Sequence, residues 1–370
     1  GDYITALDTA REMIGMEAIR ERQQRGEPDG RAIGLGFAFY TEQSGHGQVE
    51  WVKRKSRVVP GYESANVRML PDGSVMLHVG VQNHGQGHET TLSQIAAHEL
   101  GLDPSQISVR YGDTATAPFG FGTFASRSIV FAGGAVARTC RILAEKIQRI
   151  GAHLLQTDIS NTRIEGGQVH GPHGSVDFSE IAYAANVRQE HLPAGMDPLL
   201  DATSTYEPTE TGGVFAYGTH AVVVAVEPDT GVIEILDYAV SEDCGTMINP
   251  LIVDGQVQGG IAQGIGTALY EEIPYDEQGQ PLAIGQRPVR IVRPFGQVDI
   301  QVNGARIVRL DRQGVLQDRH SAGDGRIARL AVLVPPFALG LEHPRVCGDR
   351  GDRYVVGVTP CDPVHGAGEA

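Results

Sequence analysis

One order of segments occurs twice along the chain and constrains the fold more than any other feature: a β-hairpin, a glycine-rich loop and an apolar helix. In the first copy, extended segments at 64–70 and 74–81 flank a Pro-Asp-Gly turn at 71–73, which suits a tight hairpin. Apolar residues at helical spacing then predict helices over 88–100 and 128–156. Glycines in the loops before these helices allow a ligand to approach the backbone closely.

The second copy begins with a predicted hairpin whose strands lie at 220–226 and 231–240. Asn249 is then a predicted helix N-cap, and Pro250 suits the first helical position. Because the two copies share this order, the sequence predicts an α+β fold with two similar lobes of mixed β-sheet and flanking helices. The predicted parts are a first cofactor-binding lobe, a second cofactor-binding lobe and an atypical tail, at residues 1–160, 161–282 and 283–370.

The segments outside the two copies have weaker patterns. Apolar residues at helical spacing predict one amphipathic helix over 5–25, and an apolar extended run predicts a strand over 31–40. Residues 161–202 show no sustained period, so we expect this segment to cross from one lobe to the other.

Composition narrows the classes of partner. The net charge is −15, which argues against nucleic acid or an anionic membrane as the main partner. No uninterrupted apolar run is long enough to span a membrane.

The first residue is Gly1 rather than methionine, so we expect a piece of a longer or processed protein. The cysteines have no metal-binding spacing, which predicts neither an iron–sulfur cluster nor structural zinc in this chain and favours reduced thiols in the cytoplasm. They are Cys140, Cys244, Cys347 and Cys361.

The first glycine-rich loop carries a candidate ligand-binding amide. Gln86 lies between Gly85 and Gly87. A carboxamide donates and accepts hydrogen bonds at once, and the flanking glycines remove steric bulk. The alternative is an ordinary turn glutamine. A large, flat, phosphorylated cofactor is the ligand that this loop chemistry favours.

A second candidate group stands before the long helix predicted over 128–156. Thr123, Ser126, Arg127 and Ser128 offer hydroxyls, backbone N–H groups and a fixed positive charge for a pyrophosphate or a flat ring system. The alternative is helix capping by Ser128 beside a solvated Arg127. Both interpretations can hold together.

The helix predicted after Pro250 carries a third candidate group. Gln256, Gly260, Gln263 and Thr267 follow at steps of four, three and four residues, which places them on one helix face. The two glutamines are candidate cofactor ligands. The alternative is that a face with small residues packs closely against another helix.

A zinc hydrolase is a weaker hypothesis. His84, His88 and Glu89 stand close together, but the histidine that zinc would need four residues after His88 is absent. The sequence therefore predicts no metal ligand in the chain.

Four motifs, taken together, resemble the large, molybdopterin-binding subunit of the xanthine dehydrogenase / aldehyde oxidase / carbon monoxide dehydrogenase family. They are HGQGHETT at 84–91, YGDT at 111–114, Gly-Thr with Ser-Arg-Ser at 122–128, and CGTMINP with GQVQGGIAQG at 244–264. The resemblance covers residues 1–282. It implies the molybdopterin-binding type of α+β fold and molybdenum held by a molybdopterin, in the cytosine dinucleotide form usual in bacterial relatives.

The resemblance also implies a reaction and partners. The reaction is oxidative hydroxylation of a heterocycle or aldehyde, or oxidation of CO, with water as the oxygen source for hydroxylation. Electrons would pass to an iron–sulfur subunit and an FAD subunit in a hetero-oligomer that takes a small-molecule substrate. The alternative is a catalytically inactive truncated or frameshifted fragment that keeps only the cofactor-binding fold.

Family members use a glutamate base in a Gly-x-Gly-Glu loop near the C-terminus. The match here is at 366–369, which makes Glu369 the candidate catalytic base. It stands one residue from the end of the sequence and lacks the lysine and helix that flank the family's base. A carboxylate at a mobile end would be poorly placed for general-base work, so a coincidental match is the alternative.

The segment after residue 282 has a different composition. Residues 1–282 hold 18 basic and 36 acidic side chains, whereas 283–370 hold 12 basic side chains, all arginine, and 9 acidic ones. The tail also lacks helical or strand periodicity. Two interpretations stay open: translation in a shifted reading frame, and a divergent domain of the protein.

Overall fold

The computed structural model describes residues 1–208 and 212–282, together with the backbone of three short strands in the tail. The helices are α1 (Tyr3–Ile14), α2 (Met16–Arg25), α3 (Gln48–Lys53), α4 (His88–Leu100), α5 (Gly133–Leu154), α6 (Phe178–Val187) and α7 (Pro250–Leu269). The strands are β1 (Ala32–Ser44), β2 (Glu63–Met69), β3 (Val75–Val79), β4 (Ile107–Arg110), β5 (Arg163–Glu165), β6 (Gln168–Gly171), β7 (Gly174–Asp177), β8 (Asp201–Tyr206), β9 (Val214–Val226), β10 (Ile233–Asp243), β11 (Glu271–Glu272), β12 (Arg290–Ile291), β13 (Arg306–Leu310) and β14 (Leu316–Gln317). The predicted α+β class is confirmed.

One mixed sheet has the strand order β4-β3-β2-β8. The predicted first hairpin is confirmed, because β2 and β3 pair antiparallel, and β4 adds to β3 in parallel. Helices α4 and α5 bury their apolar faces on this sheet in the largest core of the described residues. Leu143, Ile147 and Ile150 of α5 are fully buried there, which follows from their helical spacing.

A second sheet has the order β1-β9-β10-β13-β14. Helices α1 and α2 pack on one face, where Ala10 and Ile14 meet Ala221 and Val223. Helix α7 packs on the other face against the side of β10 that carries Val240. The predicted second hairpin is confirmed as β9 and β10, which are longer than the pattern indicated. Among residues 1–208 and 212–282, no helix combines the length and apolar character that a membrane crossing requires.

Three predicted segments differ from the structure in detail. The helix expected over 5–25 is broken into α1 and α2, because Gly15 adopts a left-handed backbone with φ 67° and ends α1. The helix expected over 128–156 begins as a π turn at Ser128–Ala132 before α5. The segment over 161–202 forms a three-stranded sheet of β5, β6 and β7, followed by α6 and β8.

Both main sheets combine strands that are distant in sequence. Strand β1 pairs with β9, and β2 pairs with β8. The sheets therefore draw on both sides of the predicted lobe boundary at residue 160, and that division stays a prediction. Apart from β12, β13 and β14, the predicted tail at 283–370 lies outside the described residues.

Candidate cofactor-binding site

The loop between β3 and α4 is held by its own polar groups. Gly85 and Gly87 have positive φ angles of 108° and 75°, which favour glycine. The Gly85 N–H donates to Asn83 Oδ1 at 3.0 Å, and the His84 N–H donates to Gln86 Oε1. Gln86 is half-buried, and its carboxamide oxygen helps to fix the loop.

Glu89 and Tyr111, two motif residues that were not among the predicted cofactor ligands, brace this loop. Tyr111 OH and Asn83 Nδ2 both donate to the carboxylate of Glu89 in the first turn of α4. The hydrogen bond from Tyr111 is the main reason that the pKa of Glu89 lies below its ordinary value. It likewise raises the pKa of the Tyr111 hydroxyl. Two motifs distant in sequence thus meet at one carboxylate, a role that the sequence analysis did not assign.

The loop at residues 120–128 is organised by Glu63, at the start of β2. Glu63 Oε1 accepts hydrogen bonds from the Phe121 N–H at 2.9 Å and the Gly122 N–H at 3.0 Å, and from Arg127 Nη1. Sequence analysis missed Glu63. The signal was available, because Glu63 falls in the alternation whose inward positions continue with Ala65 and Val67.

Arg127 completes this arrangement from below the loop. Its side chain is fully buried, and its guanidinium lies 4.3 Å from the centre of the Phe131 ring and 5.2 Å from that of Phe124. Arg127 Nη1 donates to the Gly122 carbonyl at 3.2 Å, and Nη2 donates to the Tyr62 carbonyl at 3.0 Å. The alternative of a solvated Arg127 is therefore wrong, because burial and the Glu63 ion pair enclose its charge.

Glycines allow the loop to lie this close to the sheet. A Cβ on Gly80 would stand 2.8 Å from Gly120 Cα, and a Cβ on Gly120 would collide with Glu63 Oε2. Neither backbone position can accept a larger side chain without a shift. Gly80 and Gly120 thus serve backbone packing rather than flexibility.

Thr123 joins the two glycine-rich loops. Its hydroxyl accepts from the Gln82 N–H at 2.9 Å and donates to the Gln82 carbonyl at 2.6 Å. Ser128 Oγ in turn donates to Thr123 Oγ1 at 3.2 Å. The alternative of helix capping by Ser128 is wrong: no side-chain cap forms there, because the helix begins as a π turn and the hydroxyl binds Thr123.

Ser126 lies at the exposed tip of the loop. Ala125 and Ser126 both have left-handed backbones, with φ of 49° and 50°, which are uncommon for non-glycine residues. The Ala125 carbonyl accepts from the Gly45 N–H at 3.0 Å, which ties this tip to the end of β1. Backbone strain held by neighbouring elements is frequent at functional sites.

Helix α7 starts against the first loop. Asn249 caps it as predicted, accepting from the Ile252 N–H at 3.1 Å, and its Nδ2 donates to Gln94 Oε1 of α4 at 3.1 Å. A Cβ on Gly87 would stand 2.6 Å from Ile252 Cδ1. The β3–α4 loop, the 120–128 loop and the first turn of α7 are thus brought to one place.

The face of α7 that begins at Ile252 continues as an exposed stripe. At 3.6 residues per turn, Gln256, Gly259 and Gln263 lie within about 40° of Ile252 around the helix. These three residues are exposed, and no described atom lies within 4 Å of a Cβ built on Gly259. Gly260 of the predicted face is also exposed, and a Cβ built there meets no described atom within 4 Å. Close packing of the predicted face against another helix is therefore not observed among the described residues. The helical rise puts Gln256 about 6 Å and Gln263 about 16 Å along the axis from Ile252.

These donors fit a flat, phosphorylated ligand. Among the described residues, Gly85, Gly122 and Gly259 leave open space where side chains would stand, and the polar groups around them are amides and hydroxyls. Within the described ranges, no three His, Cys, Asp or Glu side chains come together as a metal site. Glu369 lies outside the described residues, so the structure does not place the predicted base.

A family model described as a molybdopterin cofactor-binding domain matches residues 9–292. The chain belongs to this family. Among curated proteins, this molybdopterin-binding chain is 33% identical to the nicotine 6-hydroxylase large subunit of Paenarthrobacter nicotinovorans, over 75% of this chain and 34% of that protein. It is 32% identical to the carbon monoxide dehydrogenase large chain of Hydrogenophaga pseudoflava, over 93% of this chain and 43% of that protein.

Solved structures agree with this family. The crystal structure of quinoline 2-oxidoreductase from Pseudomonas putida 86 superposes with a TM-score of 0.74 at 36% identity, covering 84% of this molybdopterin-binding chain and 39% of that one. The resemblance to large, molybdopterin-binding subunits of the xanthine dehydrogenase family is thereby confirmed. Its expected end at residue 282 is too early, because the family model continues to 292. The molybdopterin-binding chain spans 34% to 43% of the length of these relatives.

Proposed function

We propose that this chain is the molybdopterin-binding part of a molybdenum hydroxylase. The reaction would be oxidative hydroxylation of a heterocycle or aldehyde, or oxidation of CO, with electrons passing to iron–sulfur and FAD partner subunits. The names of the relatives support these chemical classes: one hydroxylates nicotine, one oxidises quinoline and one is a carbon monoxide dehydrogenase. A cytoplasmic hetero-oligomer is part of this proposal.

One observation carries the proposal: three segments distant in sequence meet. Thr123 binds Gln82 through two hydrogen bonds, Gly87 abuts Ile252, and Asn249 binds Gln94. Two glycine-rich loops and the start of α7 therefore form one continuous surface. The exposed stripe of α7 extends that surface by about 16 Å along the helix axis.

The bound cofactor would supply the redox-active molybdenum. In our proposal, the Gln86 carboxamide and the glycines beside it hold the end of the cofactor that carries the metal. Thr123, Ser126 and Ser128 orient the pyrophosphate through hydroxyl and backbone N–H groups. Gln256 and Gln263 hold the dinucleotide arm along α7. The cytosine form of the dinucleotide is proposed from the carbon monoxide dehydrogenase relatives.

Because Glu63 neutralises Arg127, the charge of that guanidinium would not face the phosphates. The donors of the loop would then be neutral, and their geometry would determine the binding of the anion.

Glu369 stays a prediction as the general base. The variant Glu369→Gln tests it, with loss of turnover and unchanged molybdenum content as the expected result.

The experiment measures cofactor content and activity together. The full chain is expressed with iron–sulfur and FAD subunits in a host that makes the cytosine dinucleotide cofactor. Molybdenum is measured per chain by plasma mass spectrometry, and CMP is measured after acid hydrolysis. Dye-linked oxidation is assayed with quinoline, benzaldehyde and CO. We expect about one molybdenum and one CMP per chain, whereas a preparation without either would contradict the proposal and favour the inactive-fragment alternative.

Variants on α7 test the position of the cofactor. Gln256→Ala and Gln263→Ala should lower the molybdenum and CMP content. Gln258→Ala is the matched control, because Gln258 is also exposed but lies roughly 120° from Ile252 around the helix. Equal cofactor content in all three variants would show that this stripe does not hold the cofactor.

A further inference from the structure

We propose that Glu63 and Arg127 are positioning residues that hold the 120–128 loop in the shape that the cofactor requires. This inference rests on the proposed function and adds a residue, Glu63, that lies in none of the four motifs. Glu63 and Arg127 act through the loop backbone and need not touch the cofactor.

Burial and hydrogen bonding show that the pair is directed at the loop. Both side chains have an exposure of 0%. One carboxylate oxygen, Glu63 Oε1, takes the N–H groups of Phe121 and Gly122 as well as the guanidinium. Glu63 Oε2 and Arg127 Nε have no hydrogen-bond partner among the described residues. Apart from the bond from Arg127 Nη2 to the Tyr62 carbonyl and the ion pair itself, the hydrogen bonds of the pair go to backbone groups of the 120–128 loop.

The same contacts control the groups proposed to bind the cofactor. Gly122 stands next to Thr123, whose hydroxyl bridges to Gln82, and Arg127 stands between Ser126 and Ser128. Anchoring Gly122 and Arg127 to one carboxylate therefore fixes both ends of the segment that carries the Thr123 and Ser126 hydroxyls. A loop has no regular backbone ladder of its own, so buried acceptors must supply this rigidity.

Two double variants separate positioning from simple packing. Glu63→Leu/Arg127→Met and Glu63→Gln/Arg127→Met both remove the two charges and have similar side-chain volumes. Only the glutamine variant keeps an oxygen that can accept from the Phe121 and Gly122 N–H groups. Replacing both members of a buried ion pair is often tolerated by the fold, whereas removal of one member is not. A third double variant, Glu99→Leu/Arg141→Met, removes an ion pair whose arginine is exposed and serves as control.

Each protein is prepared as the full chain with its partner subunits and measured in three ways. Hydrogen exchange is followed in peptides covering 119–128 and, for comparison, in α5. Molybdenum and CMP are measured per chain, and thermal unfolding reports global stability. We expect the leucine variant to lose about tenfold in molybdenum content and to exchange faster in the loop, with α5 protection unchanged. The glutamine variant should recover most of the molybdenum, and the control should match the wild type.

Equal molybdenum content in the leucine and glutamine variants would overturn the inference, as would unchanged exchange in the loop. If the leucine variant does not fold, Glu63→Asp keeps both charges but shortens the reach of the carboxylate to the Phe121 and Gly122 N–H groups. It should exchange faster at 119–128 than the wild type, and unchanged exchange there would overturn the inference. Wild-type protein without molybdenum would contradict the proposed function instead, while loop exchange would still test the positioning role.

Discussion

The 120–128 loop and helix α7 present their polar groups in opposite ways. In the loop, the charged residue Arg127 is buried and binds backbone carbonyls, while Glu63 binds backbone N–H groups. On α7, the amides of Gln256 and Gln263 are exposed. A helix satisfies its own backbone, so its side chains can face a ligand, whereas a loop must use side chains to satisfy its backbone.

The largest expected effect is on the loop, from Arg127→Met. Removing the guanidinium leaves Glu63 buried without its counter-charge, which should cost about 3–5 kcal/mol in the free energy of unfolding. Urea unfolding measures this loss in the free energy of unfolding. Arg141→Met is the control, because Arg141 is exposed in its pair with Glu99 and exposed pairs contribute about 1 kcal/mol or less. Similar losses in both variants would contradict the distinction between a buried and an exposed pair.

The next prediction compares one glycine from each region. Gly120→Ala places a Cβ against Glu63 Oε2 and 3.0 Å from Gly80 Cα, so overpacking should cost about 1–3 kcal/mol. Gly259→Ala meets no atom of the described residues within 4 Å and lies inside a helix, so it should stabilise the chain by about 0.5–1 kcal/mol. Thermal unfolding of the two variants should move in opposite directions. A shift of the same sign in both would contradict the comparison.

Gly259→Ala also tests the proposal that the exposed stripe of α7 holds the cofactor. If the stripe holds the cofactor, a methyl group there should lower the molybdenum content even though the chain becomes more stable. A stabilised variant with full molybdenum content would show that Gly259 faces no part of the cofactor.

A smaller effect is expected at the two helix starts. Asn249→Ala removes a side-chain cap and should cost about 1 kcal/mol. Ser128→Ala removes a hydroxyl that makes no cap, so its cost should stay near 0.5 kcal/mol. Chemical unfolding of both variants checks the order. A larger loss for Ser128→Ala would restore its role as a cap.

The smallest expected effect is a pH dependence from two histidines, one in α4 on the first sheet and one in β9 of the second sheet. Burial lowers the pKa of His88 in α4 and of His220 in β9 below the ordinary value of 6.5. The unfolded chain therefore binds protons at a higher pH than the folded chain, and stability should fall as the pH drops through 6.5. The pKa of Glu89 lies below its ordinary value of 4.5, so Glu89 does not titrate between pH 7.5 and 5.5. Urea midpoints measured over that range therefore report on the histidines.

Replacing each histidine tests this assignment. His88→Gln and His220→Gln should each reduce the fall in urea midpoint over that pH range, and the double variant should reduce it further. An unchanged slope in the double variant would mean that other groups control the pH dependence.

Much of the fold could be predicted because its signals are local. Period-two alternation and the Pro-Asp-Gly turn indicated the β2–β3 hairpin, and helical spacing with Gly101 indicated α4. The break at Gly15 was not predicted, because the apolar residues keep their helical spacing across it although the Gly15 backbone is left-handed. The pairing of β1 with β9 could not be predicted from the sequence, since its register runs from Ala32 with Val226 to Ser44 with Val214, far apart along the chain.

The sequence by itself determined the segments that matter: the glycine loops, the capped start of α7 and the motif residues that belong to the molybdopterin-binding family. These depend on local backbone chemistry, which neighbouring residues specify. Only the tertiary structure decided which polar groups face inward. Arg127 lies in a loop motif but is buried like a core residue, because its partner Glu63 comes from a strand 64 residues earlier. Burial is a property of the packed chain, so the direction of a loop's side chains follows from long-range contacts.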